Sequence, residues 1–189
     1  MDDQFINFIV IETNRYATVD NNDHSFSTSR EEIRTFLAIL LLTGYHTFPK
    51  QGMYWSTSPN SSIELVRSAM PRDQFRMIKK YIHFCSNSQV RSGDKYFKVR
   101  ALCELAISKF MQWGLCEQNI AVDETIVPYY GRSLLKQLIR NKPVRFGFKN
   151  WCLAGQSGYC YHAYLYVGKE ENQNSNIPLG TRVVDLFYI

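Results

Sequence analysis

The stretch that decides the fold is Asn119-Ile120-Ala121-Val122-Asp123-Glu124-Thr125-Ile126-Val127. Apolar residues run into two adjacent acids and then return to β-branched residues, so the stretch reads as a strand. Acids are costly in a half-buried strand unless they are paired or bind a metal. Asp123 is therefore the first place to look for chemistry. Adjacent strand residues point to opposite faces, so Asp123 and Glu124 cannot both face one site and are no ready-made acid–base dyad. A magnesium ion takes one or two carboxylates together with waters and substrate phosphates, and a two-metal centre needs further acids. From the pattern alone, a metal ligand and a solvated strand end fit Asp123 equally well.

The segment after this strand is cationic. From Ile126 to Gly168 there is no Asp or Glu, but there are Arg132, Lys136, Arg140, Lys142, Arg145 and Lys149. These six exceed the whole net charge of +5, the remainder being nearly balanced. In Lys142-Pro143-Val144-Arg145-Phe146-Gly147-Phe148-Lys149 cations alternate with aromatics. Such residues can contact phosphates and stack on exposed bases. They also fit the flank of a hairpin whose aromatics enter a core.

Composition narrows the class. The chain has 189 residues, 45% apolar and 21% charged, as globular proteins do. A pI near 8.9 admits a nucleic-acid partner. Five widely spaced cysteines without C-x-x-C indicate neither a disulfide framework nor a zinc module; reduced thiols of an intracellular protein are the simplest reading. His24, His46, His83 and His162 lack ligand spacing. Met1-Asp2-Asp3 is wrong for a secretory leader, and the apolar run Phe36 to Thr43 is too short to cross a bilayer. Walker, Rossmann and Ser-His-Asp patterns are absent from the sequence.

Before residue 117 the periodicity is helical. A helix over Phe5 to Ala17 is expected to turn Phe5, Phe8, Ile9, Glu12 and Tyr16 inward. Thr28 with Glu31, or Ser29 with Glu32, offers a capping box for a helix with Ile33, Phe36, Leu37, Leu40 and Leu41 on one face, stopped at Gly44. The aromatic loop His46 to Pro59 has the residues to stack on bases or to cap the helical core, and burial statistics favour the core. Helices are then expected over Asn60 to Ala69, from Pro71 with Phe75, Ile78 and Ile82 inward, and over Tyr96 to Trp113. Strands run over Ile120 to Val127, Phe146 to Ala154 and Tyr159 to Val167. Gln156-Ser157-Gly158 joins the last two as a hairpin, and a helix capped by Thr181 comes after them. This is an α+β chain: a helical region over 1–117, then 118–189 with strands too few to cover both faces of a sheet. The apolar end Leu186-Phe187-Tyr188-Ile189 is expected to continue into a core.

The ordered set Val122-Asp123-Glu124, Tyr130-Gly131-Arg132, Asn141-Lys142-Pro143 and Phe146-Gly147-Phe148-Lys149 resembles the opening of the catalytic domain in piggyBac-type transposases and their domesticated relatives. Glu32-Ile33-Arg34, Met70 to Phe75 and Ile82-His83-Phe84 fit as well. The resemblance implies a helical dimerisation and DNA-binding region, then the first strands of an RNase H-like α/β core, truncated. It implies nuclear, metal-dependent cleavage and strand transfer on double-stranded transposon ends, with three aspartates holding two Mg2+ or Mn2+ ions. Asp123 matches the first aspartate as catalytic and metal-ligating residue, with no match for the others. The chain alone is therefore expected neither to cut nor to join DNA. Arg132, Lys136, Arg140, Lys142, Arg145 and Lys149 are the expected nucleic-acid contacts. The alternative is a domesticated DNA-binding or protein-interaction module without catalysis.

Overall fold

The first helix, α1 (Asp3–Arg15), opens on Asp2, whose carboxylate accepts from the Gln4 backbone N–H at 3.0 Å. The computed structural model describes residues 2–58, 62–89, 93–139, 143–168, 177–185 and 187. A π-helical turn, Tyr16–Asp20, continues α1. The buried stripe is Ile6, Ile9, Thr13 and Ala17: Ile9 is inward as expected, while Ile6, Thr13 and Ala17 are buried in place of their neighbours Phe5, Glu12 and Tyr16. Polar geometry sets this face. Thr13 accepts from the His83 backbone N–H at 3.4 Å, while Glu12 stays near the surface and pairs with Arg15 at 3.0 Å. Tyr16 lies flat on the His83 ring, centroids 3.9 Å apart.

Of the two capping registers for α2 (Arg30–Tyr45), Ser29 with Glu32 is used. Ser29 Oγ accepts from Glu32 N at 3.2 Å, and Glu32 Oε2 accepts from Ser29 N at 2.9 Å. Thr28 is held elsewhere, because the Asn14 side-chain amide bonds both its N–H and its C=O. The buried face is Ile33, Phe36 and Ile39, whereas Leu40 and Leu41 are exposed, and the helix passes through Gly44 to end at Tyr45. After α3 (Glu64–Ala69), Pro71 precedes α4 (Arg72–Tyr81), which buries Phe75, Ile78 and Tyr81. Phe75 meets Phe36 and Trp55 at centroid distances of 4.8 and 5.1 Å. The Trp55 indole donates to the Met70 carbonyl at 2.7 Å, and Tyr54 is buried. The aromatic loop thus caps the helical core.

The chain divides into two compact units at Val90 and Arg91. In the second unit α5 (Phe97–Trp113) packs on the sheet. The strands are β1 (Ile120–Pro128), β2 (Gln137–Leu138), β3 (Phe146–Gly155) and β4 (Cys160–Leu165). Central β3 pairs antiparallel with β1 on one side and with β4 and short β2 on the other. No sequence signal marks β2, a two-residue strand inside the basic loop. The hairpin turn has Gly158 at φ +85°, where glycine is favoured. Glu117 clasps this turn, accepting from Ser157 N at 3.1 Å and Ser157 Oγ at 2.5 Å, and its carboxyl is held below the usual range by those bonds. The last helix, α6 (Leu179–Asp185), starts two residues before Thr181, which is therefore inside it and not its cap.

Candidate functional site

Strand alternation divides the two adjacent acids of β1. Val122, Glu124 and Ile126 are half-buried, while Ala121, Asp123 and Thr125 are exposed. Asp123 stands opposite Cys152 of β3, and its Oδ1 accepts from the Glu124 backbone N–H at 2.7 Å. Glu124 stands opposite Trp151 on the other face. There its Oε2 lies 2.6 Å from Lys149 Nζ, with the two side chains only 20% and 13% exposed. The ammonium also sits 4.0 Å from the Trp151 ring centroid and 5.6 Å from that of Tyr166.

Lys149 is thus not a cation presented to solvent. Its ammonium forms an ion pair inside the sheet face, where a half-buried carboxylate demands a countercharge. Sequence reasoning missed this pair. The signal available was the alternation itself: if Asp123 faces out, Glu124 faces in and needs a partner from the neighbouring strand.

The basic loop keeps other cations outside. Arg132 and Arg145 are exposed. Lys136 donates to the Gly131 carbonyl at 2.9 Å and lies 5.7 Å from the Phe146 ring centroid. Tyr130 and Leu134 at the loop are 82% and 90% exposed. Tyr129 stacks on Phe148, centroids 4.8 Å apart, and packs against Gly131 so closely that a Cβ there would collide with its ring. Gly147 faces the Val127 backbone, where a Cβ would strike the carbonyl oxygen. Arg140 and Lys142 lie outside the described residues.

The divalent-metal expectation can be tested against these positions. Among the described residues no group of three His, Cys, Asp or Glu is spaced to hold a metal ion. Asp123 offers one exposed carboxylate, the right kind of hard oxygen ligand, but these residues alone do not fit a two-metal centre. Elsewhere in this unit a cavity of about 510 Å³ between α5 and β4 is lined mainly by apolar groups with Arg100 and His162. Arg100 is held by Asp94 at 2.6 and 2.8 Å, and burial lowers the His162 pKa.

Helices followed by a partial antiparallel sheet match the opening of an RNase H-like transposase fold. The family described as Transposase IS4 matches residues 1–184, and the chain belongs to that family. Its homologues include human PiggyBac transposable element-derived protein 2, 40% identical over 158 residues, which are 84% of this chain and 26% of that protein. Human PiggyBac transposable element-derived protein 3 is 36% identical over 172 residues, 91% of this chain and 29% of that protein. The chain therefore spans about a quarter of the length of these relatives. In fold it matches a piggyBac transposase solved by cryo-EM as a synaptic complex with hairpin DNA, with a TM-score of 0.82 at 24% identity. The match covers 97% of this chain and 40% of that one. Among the described residues no helix is long and apolar enough to cross a membrane.

Proposed function

We propose that this chain supplies the DNA-engaging helices and the first catalytic strand of a piggyBac-type transposase, with Asp123 as one metal ligand. The observation that carries the reading is the outward carboxylate of Asp123 on a strand whose neighbouring acid is neutralised on the opposite face. In this reading Asp123 needs further acidic ligands to hold Mg2+ or Mn2+, since among the described residues no group of three His, Cys, Asp or Glu is spaced to do so. Arg132, Lys136 and Arg145 contact phosphates of double-stranded transposon ends, and Arg140 and Lys142 belong to the same loop. Dimerisation and a nuclear location accompany this role. The names of the human relatives, as transposable element-derived proteins, favour a second reading in which a domesticated chain binds DNA or a protein partner without catalysis.

The test is binding of a labelled duplex across a salt series. Removing one phosphate contact should flatten the log–log salt slope by roughly 0.9. Replacing Arg132, Lys136 and Arg145 together by Ala should therefore weaken binding and flatten the slope; no duplex binding at low salt, or an unchanged slope, overturns the DNA reading. Within a complete transposase, Asp123→Asn should abolish metal-dependent cleavage while leaving binding intact, and retained cleavage removes the metal role.

A further inference from the structure

The sheet face that carries Asp123 also carries two thiols. Cys152 is the cross-strand partner of Asp123, so their side chains share a face. Cys160 reaches the same face only through an irregularity of the ladder. Leu153 pairs with His162 but Ala154 pairs with Cys160, which leaves Tyr161 as the extra residue on β4. In an unbroken ladder Ala154 would pair with Tyr161, and Cys160 would stand opposite Gly155 on the other side of the sheet. Re-aiming a side chain in this way is what bulges do. The consequence is that Cys160 and Cys152 share one face of the sheet as diagonal neighbours on adjacent strands, and Cys160 Sγ donates to the His162 carbonyl at 3.4 Å. Both residues are half-buried and reduced. Among the described residues no third His, Cys, Asp or Glu is spaced to complete a metal site with them.

We propose that Cys152 and Cys160 form an oxidation-sensitive dithiol that closes to a disulfide across the β3–β4 bulge, beside Asp123, with a peroxide as oxidant. The Cys152 sulfur attacks one peroxide oxygen and becomes a sulfenic acid, releasing one water. The Cys160 sulfur then displaces the hydroxyl as a second water, and the new S–S bond replaces two S–H bonds. Two thiols are oxidised and one hydrogen peroxide is reduced. Burial and the neighbouring Cys152 raise the Cys160 pKa, which disfavours its own attack on peroxide and leaves the first step to Cys152.

The test treats the full chain with hydrogen peroxide and counts free thiols, with chymotryptic mapping to cut between the two cysteines at Tyr159. The expected result is a fall from five free thiols to three, a Cys152–Cys160 cross-linked peptide, and recovery of all five with reductant. Cys160→Ser should instead leave Cys152 as a sulfenic acid that a dimedone probe traps, and Cys152→Ser should leave Cys160 unlabelled. A variant with Cys85, Cys103 and Cys116 all replaced by Ser should still form the link. Failure of that triple variant to cross-link, or cross-linking chiefly through the other three cysteines, overturns the assignment.

Discussion

Replacing Lys149 by Met tests what holds the two faces of β1 in their roles. The substitution keeps the aliphatic stem against Trp151 and removes the charge that lies 2.6 Å from Glu124. Breaking a fully buried pair costs about 3–5 kcal/mol, and an exposed one about 0.2–1 kcal/mol. With the two side chains 13% and 20% exposed, the pair lies between these limits, and about 2–3 kcal/mol is expected for Lys149→Met. Glu124→Gln leaves the ammonium over the Trp151 ring, an attraction that survives, so it should cost less, about 1–2 kcal/mol. The double variant leaves no unpaired charge and should be more stable than the summed single effects imply, by about 1–2 kcal/mol. Urea unfolding followed by Trp151 fluorescence, with Trp55 and Trp113 replaced by Phe, isolates the unit that holds the sheet. Additive single effects, or a Lys149→Met loss under about 0.5 kcal/mol, would refute the reasoning.

Other contacts set further expected outcomes. Gly147→Ala should destabilise the β1–β3 end by roughly 2–3 kcal/mol, because the new methyl meets the Val127 carbonyl and backbone must move; faster amide exchange at Val127 and Phe148 is the check. Ser29→Ala removes one half of the α2 capping box and should cost about 1 kcal/mol in thermal or urea unfolding. The Asp23 carboxyl is lowered to about 2, first by the Ser25 hydroxyl and then by Tyr81. Its folded pKa is depressed, so its contribution is complete above the ordinary value of 3.8 and is lost as pH falls through about 2. Tyr81→Phe should raise the Asp23 pKa in an NMR titration, and an unmoved titration would deny the link.

Local signals carried much of the fold. The Gln156-Ser157-Gly158 turn, the capping boxes and the apolar strands place the hairpin and the α2 start because each depends on neighbours in sequence. Registers were harder. In α1 Thr13 took the place of Glu12 in the buried stripe once it found the His83 backbone, a partner 70 positions away. The apolar Leu40 and Leu41 read as core yet lie exposed, since helical periodicity does not say where the packing partner ends. At the candidate site the strand that carries Asp123, and the exposure of one of its two acids, were legible from the alternation of residues. The capture of Lys149 by Glu124 and the arrival of Cys160 beside Cys152 were not, because cross-strand pairing and a bulge decide them.

The division of labour between Asp123 and Glu124 makes their order in the chain matter. Exchanging the two residues preserves composition, net charge and strand propensity. It would nevertheless put the shorter acid at 124, one methylene farther from the ammonium of Lys149, and the longer, more mobile acid at 123. The order Asp-then-Glu therefore carries information that a tally of acidic residues erases. A relative that keeps both acids but transposes them has lost both arrangements at once.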